Sequence, residues 1–149
     1  MDILATRRRA RGFTLLELLC ALAVAGVLSA IALPGYRHVV HKARRSDATL
    51  TLMQLQLAQE RHRADHARYG SLADLRTPDR SAGGHYRLVM ASAADDGFVL
   101  HAIATGTQDT DTTCRRFTLR VDGGHAVPAS GRDEHVDNGD AVNRRCWSL

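Results

Sequence analysis

The feature that most constrains this chain is an uninterrupted apolar run of 21 residues from Phe13 to Leu33, FTLLELLCALAVAGVLSAIAL. Its only formally charged side chain is that of Glu17, and Pro34 and Gly35 follow the run directly. A helix of this length, at about 1.5 Å per residue, spans about 31 Å and matches a bilayer hydrocarbon core of about 30 Å. The run therefore predicts one membrane-spanning helix.

Basic residues precede this run and predict its orientation. The first 12 residues hold four arginines against one aspartate, a net charge of +3, while the whole chain of 149 residues carries +4. Arginine-rich flanks stay in the cytoplasm, so we expect a short cytoplasmic N-terminus and a translocated C-terminal part. The remaining 137 residues carry only +1. The basic composition therefore does not by itself indicate a nucleic-acid partner.

Composition leaves three interpretations of the N-terminal segment open. A secretory signal peptide would be cut after the sequence Ala30-Ile31-Ala32, whereas a signal anchor would be retained. Neither interpretation explains Glu17, because a carboxylate in an apolar span costs about 2.5 to 3.5 kcal/mol at mid-helix and less near an end. The third interpretation is that the segment carries a processing and assembly motif in which this carboxylate has a function.

Residues 11–18, RGFTLLEL, resemble the prepilin cleavage and methylation motif of type IV pilins and type II secretion pseudopilins. The resemblance implies that a membrane-embedded prepilin peptidase cleaves after Gly12 and N-methylates Phe13. It also implies that Glu17, the fifth residue of the mature chain, neutralises the terminal amine of a neighbouring subunit during filament assembly. The apolar run would then be kept in the mature protein.

Helical character continues beyond the membrane span. Residues 36–67 contain no Gly or Pro, and the steps of three and four residues along Leu50, Met53 and Leu57 indicate an amphipathic helix. One stripe of this helix should lie on a globular head. Pro34 matches a helix-bending proline of the family, so we expect a kink there. The alternative is that Pro34-Gly35 ends the helix.

Further sequence features resemble one branch of the family and predict the fold. The segments RSDA at 45–48, LQLAQER at 55–61 and YG at 69–70 resemble PilE-type minor pilins. Strand-like segments follow at 85–90, 98–104, 116–121 and 125–127, and Pro128 should end the last of them. Together with the resemblance they predict an α+β fold. A long N-terminal helix, membrane-embedded in its first half, would pack on a roughly four-stranded antiparallel sheet.

The expected division of the chain follows the same pattern. It comprises a prepilin leader at 1–12, a transmembrane assembly helix at 13–33, an amphipathic continuation at 34–67, and a pilin head with a C-terminal disulfide region at 68–149.

Two of the three cysteines are expected to form that disulfide. Cys114 and Cys146 lie in the translocated part, where a dithiol would be oxidised, whereas Cys20 lies in the membrane helix. The bridge resembles the C-terminal disulfide of type IV pilins and would stabilise the head by about 3 to 4 kcal/mol. A zinc site is the alternative, but the ligand spacing is missing. The acidic residues at 133–140 do not match a calcium loop. We predict no metal and no cofactor.

These features predict a structural subunit. The sequence contains no catalytic nucleophile motif, phosphate loop or metal signature that would indicate an enzyme. The leading hypothesis is a minor type IV pilin, held in the inner membrane by a single pass with its N-terminus in the cytoplasm. It would then assemble into an extracellular pilus, with adhesion or twitching motility as implied processes. The expected partners are other pilin subunits, prepilin peptidase and the inner-membrane assembly platform.

Two alternatives remain open. A type II secretion pseudopilin would share the N-terminal motif, although the expected disulfide favours a pilus. A DNA-uptake or adhesion pilin would capture a ligand with its head. In that case four arginines near the two cysteines are candidate DNA contacts: Arg115, Arg116, Arg144 and Arg145. Such pairs of arginines are usually solvated, so nucleic acid is a secondary expectation.

Overall fold

The computed structural model describes residues 12–147, except for the side chains of Pro34 and Asp140. The predicted leader, apart from Gly12, lies outside the described residues. The elements in chain order are α1 Leu15–His66, β1 Tyr86–Ala93, β2 Gly97–Ala104, a short 3₁₀ helix Gly106–Thr110, β3 Arg116–Asp122, β4 His125–Gly131 and α2 Asp140–Trp147. The predicted α+β fold, with a long N-terminal helix and a four-stranded antiparallel sheet, is confirmed.

Helix α1 begins next to a capping residue. The Thr14 hydroxyl accepts a hydrogen bond of 3.2 Å from the backbone N–H of Glu17. Thr14 and Glu17 have the spacing of a capping box. The helix is continuous past Pro34 as far as His66, so Pro34-Gly35 does not end it. The kink at Pro34 stays a prediction.

The described residues divide into two compact units, the first ending at Arg37 and the second beginning at His38. In the first unit, the large apolar side chains between Phe13 and Leu33 are 50% to 77% exposed. Helix α1 is the one helix within residues 12–147 whose length and composition would allow it to cross a membrane. Such a continuous apolar surface indicates contact with lipid or with other helices.

The sheet of the second unit is a simple antiparallel meander. Its strand order is β1-β2-β3-β4, so each strand pairs with its sequence neighbour. The turn between β3 and β4 has Gly123 and Gly124 with φ of +53° and +82°, a pair of positive values that a tight hairpin turn requires and glycine readily adopts. Local connections therefore build the whole sheet.

The core lies between one face of this sheet and the part of α1 after His38. Along β2 the buried residues alternate with half-buried ones, and the buried set is Phe98, Leu100, Ala102 and Ala104. They cluster with Ala48, Leu52 and Leu55 of α1. Alternation in β2 thus gives the sheet one core face and one outer face.

Aromatic rings extend the core to the C-terminal segment. Phe117 of β3 packs edge-to-face against Tyr86 and Trp147, with ring centroids 5.6 Å apart in both pairs. Trp147 also donates an indole N–H hydrogen bond of 3.2 Å to the Ala129 carbonyl. The end of α2 is therefore part of the head core.

The stripe of α1 that packs on the sheet is not the one that the apolar spacing suggests. Leu50, Met53 and Leu57 are 58%, 48% and 53% exposed, whereas Leu52 and Leu55 are buried. The core-facing stripe also contains buried polar side chains, so the hydrophobic spacing did not single it out. Both faces of this part of α1 are partly apolar.

The expectation that Pro128 ends the last strand is wrong. Strand β4 continues to Gly131, and Pro128 lies opposite Leu119 of β3. Because β4 is at the edge of the sheet, a proline whose missing N–H would face away from β3 is tolerated. The Pro128 carbonyl accepts a hydrogen bond of 3.0 Å from the Asn143 side-chain amide.

Helix α2 was not predicted from the sequence. Residues 130–143 look like a polar variable loop, yet α2 begins at Asp140. Two buried side chains near its end, Cys146 and Trp147, fix it to the head. A helix of eight residues is too short for its apolar period to be recognised.

Candidate functional site

The N-terminal end of α1 contains the residues of the prepilin motif. Gly12 and Phe13 precede the helix, and Phe13 is exposed. Glu17 lies in the first helical turn with its side chain exposed. The helix dipole is positive at this end, which favours the Glu17 carboxylate and disfavours a new α-ammonium group at Phe13. An ammonium group here therefore needs an anionic partner.

The disulfide between Cys114 and Cys146 is confirmed, with a Cα–Cα distance of 5.6 Å. Both cysteines are buried. The bridge joins the segment before β3 to α2, and it encloses β3, β4 and the loop between β4 and α2. Cys20 is exposed on α1.

The four arginines expected near this disulfide differ in their surroundings. Arg115 forms an exposed ion pair with Asp109, with Nη2 and Oδ1 2.6 Å apart. Arg116 begins β3 next to the buried Phe117, so its side chain lies on the outer face of the sheet. Its Nε atom is buried and has no hydrogen-bond partner within residues 12–147. Arg144 and Arg145 are exposed on α2.

A groove on the outer face of the sheet brings Arg115 and Arg116 together with Arg87 of β1 and Arg132 after β4. We call it the basic groove. Its remaining lining residues are Ile103, Asp109, Asp133 and Glu134. Arg87 and Arg132 were not among the predicted contacts, because strand pairing brings them there from distant positions in the chain.

The strand register explains the position of two of these arginines. Arg87 of β1 and Arg116 of β3 both lie opposite Ile103 of β2, one on each side. At about 4.8 Å between neighbouring strands, their Cα atoms lie about 10 Å apart. The two guanidinium groups therefore flank an apolar side chain in the floor of the basic groove.

The carboxylates of the basic groove are mostly partnered. Asp109 pairs with Arg115. Asp133 accepts a hydrogen bond of 2.8 Å from the backbone N–H of His135, and this bond lowers the pKa of Asp133 below its usual value. The other three arginines of the groove form no ion pair within the described part of the chain: Arg87, Arg116 and Arg132. Their guanidinium groups are available to bind oxygen-rich anions such as phosphate.

A histidine lies among the arginines on the outer face of the sheet. His101 of β2 lies on this face, with Nδ1 2.8 Å from the Thr118 hydroxyl. Partial burial lowers the pKa of His101, and the charges of Arg116 and Arg120 lower it further. His101 is therefore neutral at pH 7. The alternation of Arg116, Thr118 and Arg120 with apolar residues was the sequence signal for this face.

A second groove is lined by residues next to both cysteines, Thr113 and Arg145. Its lining includes Arg132, His135 and Arg145, and Arg132 lines both grooves. Arg115 and Arg116 therefore line the basic groove, and Arg145 lines the second groove. Arg144 lines neither of these two grooves.

Two family models match this sequence. The first, described as the prokaryotic N-terminal methylation motif, covers residues 7–33. The second, described as type IV minor pilin ComP, DNA uptake sequence receptor, covers residues 34–118. The matches are contiguous and meet at the expected end of the membrane span.

Curated relatives are type IV pilins and a secretion-system protein. The type IV major pilin protein PilA of Myxococcus xanthus (strain DK1622) is 33% identical over 94 residues, which are 63% of this chain and 43% of PilA. The type IV major pilin protein PilE1 of Neisseria gonorrhoeae is 30% identical over 112 residues, 73% of this chain and 61% of PilE1. The type II secretion system core protein G of Pectobacterium carotovorum subsp. carotovorum is 35% identical over 63 residues, 42% of this chain and 40% of that protein.

The matched part of the chain spans between 43% and 61% of the length of the two pilins. The minor-pilin model, in contrast, covers more than half of this chain's 149 residues. The methylation-motif match covers residues 7–33, which include the apolar first part of helix α1. The chain therefore belongs to the type IV pilin family, in the minor-pilin branch that the ComP model describes.

Proposed function

We propose that this chain is a minor structural subunit of a type IV pilus. It is cleaved after Gly12, N-methylated at Phe13 and assembled through α1. The observation that carries the proposal is the coincidence of the methylation motif with a helix whose apolar side chains are exposed from Phe13 to Leu33. Before assembly the chain lies in the inner membrane with its N-terminus in the cytoplasm. Its partners are other pilin subunits, prepilin peptidase and the assembly platform.

The proposed division of the chain follows from this function. Residues 1–12 are the leader that the peptidase removes, and residues 13–33 are the membrane span and later the filament contact. Residues 34–67 continue the helix, and residues 68–149 form the head. The matched family consists of structural subunits, and we propose no catalytic role for the chain.

Glu17 is the assembly residue in this proposal. Cleavage after Gly12 creates an α-ammonium at Phe13, beside the positive end of the α1 dipole. Glu17 lies one helical turn away and its carboxylate is exposed. In an apolar bundle of α1 helices, an ion pair between Phe13 of one subunit and Glu17 of its neighbour satisfies both charges. A subunit shifted along the filament axis from this position would leave both charges unpaired.

Two measurements test this proposal. Peptide mass spectrometry of the membrane-extracted and sheared surface fractions should find an N-methylated Phe13 as the first residue. A Glu17→Ala variant should still be cleaved and membrane-bound but should be missing from sheared filaments, whereas Ser29→Ala, which keeps both charges, should be retained. A mature N-terminus at Leu33 would contradict the proposal and indicate a secretory signal peptide.

Cell fractionation also distinguishes a pilus subunit from a type II secretion pseudopilin. The match to the type II secretion core protein G covers 42% of this chain, so the shared region does not distinguish the two. A pilus subunit is recovered in sheared surface filaments. A pseudopilin would stay in the cell-envelope fraction.

A second candidate function is DNA binding by the head, and the basic groove favours it. The groove is lined by three arginines that form no ion pair within the described residues, and the matching family is described as a DNA uptake sequence receptor. We propose that Arg87, Arg116 and Arg132 contact DNA phosphates. Arg115 and Arg145 would lie at the margin of this contact.

A gel-shift titration with the detergent-solubilised full chain at stepped salt tests the DNA contact. Binding through phosphates weakens steeply with salt, and each lost contact reduces the log–log slope by about 0.9. Arg87→Gln and Arg116→Gln should each reduce the slope by about 1. Arg61→Gln, an exposed arginine on α1, should leave it unchanged. Binding that does not depend on salt, or equal effects of all three variants, would remove this function.

A further inference from the structure

The RSDA segment of α1 holds a buried cation whose role the proposed function does not explain. The guanidinium of Arg45 forms two hydrogen bonds with Asp111, of 2.7 Å from Nε to Oδ2 and 2.9 Å from Nη2 to Oδ1. Both side chains are almost fully buried, at 6% and 3% exposure. This two-point geometry joins residues 66 positions apart in the chain.

Arg45 is linked by hydrogen bonds to the backbone beside each cysteine of the Cys114–Cys146 bridge, directly at Cys146 and through Asp111 at Cys114. The Asp111 carboxylate accepts hydrogen bonds from the backbone N–H groups of Thr113 and Cys114, at 3.1 Å and 3.2 Å. The Arg45 Nη1 donates a hydrogen bond of 3.1 Å to the carbonyl of Arg145, which is part of the peptide group preceding Cys146. One guanidinium group thus binds the chain beside both cysteines.

Further polar contacts fix Asp111 in place. The side-chain amide of Gln108 donates to Asp111 Oδ2 at 3.2 Å and to the Tyr86 hydroxyl at 3.0 Å. Gln108 is fully buried. The Arg45 hydrogen bonds lower the pKa of Asp111 against the opposing effect of burial, which is the larger single influence. The carboxylate is therefore held charged and oriented by groups outside the disulfide.

We propose that the Arg45–Asp111 pair docks the C-terminal segment onto α1 independently of the disulfide, and so brings Cys114 and Cys146 together before they are oxidised. Arg45 is then a positioning residue for disulfide formation. The disulfide preserves an arrangement that the ion pair has already selected. The exposed pair of Arg115 and Asp109 in the same segment has no such role, because solvent screens it.

The proposal predicts the behaviour of the thiols in a glutathione buffer. The thiolate of one cysteine attacks oxidised glutathione, releases one reduced glutathione and forms a mixed disulfide. The thiolate of the second cysteine attacks the protein sulfur of that mixed disulfide, forms the Cys114–Cys146 bond and releases a second reduced glutathione. The equilibrium constant of the overall exchange is the effective concentration of the two thiols. It is high only if the reduced head already holds them close together.

The effective concentration is measured on the full chain in a mild detergent, in a Cys20→Ser background. Samples equilibrate at stepped ratios of reduced to oxidised glutathione, and alkylation with peptide mass spectrometry gives the bridged fraction. Arg45→Met should lower the effective concentration by at least about tenfold, because it leaves the buried Asp111 carboxylate without its charged partner and removes the hydrogen bond to the Arg145 carbonyl. The matched control Arg115→Met should stay within about twofold of the parent.

Trp147 gives a second readout that needs no substitution of the ion pair. It is the only tryptophan of the chain, it is adjacent to Cys146, and it is 5% exposed. When the disulfide of the parent is reduced, the fluorescence emission of Trp147 should stay that of a buried indole. Reduction of Arg45→Met should shift the emission to that of an exposed indole.

The outcomes separate the proposal from a merely structural role. Exposure of Trp147 on reduction of the parent would overturn the proposal, as would a fall in the effective concentration of Arg45→Met of less than about tenfold. If Arg45→Met does not fold, the double variant Arg45→Met/Asp111→Leu removes both charges and leaves no unpaired buried carboxylate. In that background too, the effective concentration should fall.

Discussion

Replacement of Asp47 by alanine should destabilise the head by about 3 kcal/mol. The Asp47 carboxylate, on α1, accepts three hydrogen bonds from the loop that leads into β1. They come from the Ser81 hydroxyl at 2.6 Å, the Gly83 N–H at 2.8 Å and the His85 N–H at 3.3 Å. Hydrogen bonds to a charged group contribute about 1.5 to 3 kcal/mol each. Because Gly83 is exposed and the His85 bond is long, we count about one third of the maximum sum of about 9 kcal/mol.

Urea unfolding of the full chain in a mild detergent measures this loss, with the fluorescence of Trp147 as the signal for the head. For an m value of about 1.5 kcal/mol per molar urea, a loss of about 3 kcal/mol moves the midpoint by about 2 M. Asp47→Asn keeps one oxygen acceptor and should move the midpoint by about half as much. Gly83→Ala should also destabilise the head, since its Cβ would lie 2.8 Å from Asp47 Oδ2.

Asp79→Ala is the matched control, because Asp79 is an exposed carboxylate close to the same loop. It should move the midpoint by less than about 0.3 M, as expected for an exposed site. The reasoning is refuted if Asp47→Ala moves the midpoint by less than about 0.5 M. It is equally refuted if Asp79→Ala has the same effect as Asp47→Ala, since net charge would then be the cause.

Three further predictions concern the core, a histidine and the ion pair. Leu52→Ala should cost about 2 to 5 kcal/mol in urea unfolding because Leu52 is fully buried, whereas Leu57→Ala should change stability by less than about 0.5 kcal/mol because Leu57 is 53% exposed. The pKa of His101 is lowered by burial and then by Arg116 and Arg120. Stability should therefore fall as pH drops through the unfolded-state pKa near 6.5 towards the lower folded-state pKa, and His101→Gln should remove this loss. The pKa of Asp111 is also lowered, so its stabilisation is complete above the unfolded-state pKa near 4 and is lost as pH falls through the folded-state value. A pH series of urea midpoints for Asp111→Asn should lack that acidic loss.

The head is organised around two charged residues of one α1 turn. Arg45 binds Asp111 and the Arg145 carbonyl, while Asp47 binds the loop before β1. The two residues therefore fix opposite ends of the head sequence to the same helix.

The sequence alone determined the features that depend on residues close together in the chain. The apolar run and the motif around Gly12 and Glu17 are local, and so are the strand-like segments and turn residues that predicted four strands. Hairpin connections made the sheet order follow the sequence order. The disulfide was predictable because Cys20 lies in the predicted membrane span, which left Cys114 and Cys146 as a pair.

The tertiary structure decided what depends on contacts between distant residues. Both faces of α1 carry apolar side chains, so only packing against the sheet selected the Leu52 stripe over the Leu57 stripe. Arg87 and Arg116 become neighbours only through the register of three strands. The Arg45–Asp111 pair spans 66 residues. Local sequence patterns contain no information about such contacts, because the strand register and the burial of the pair are set by the whole head.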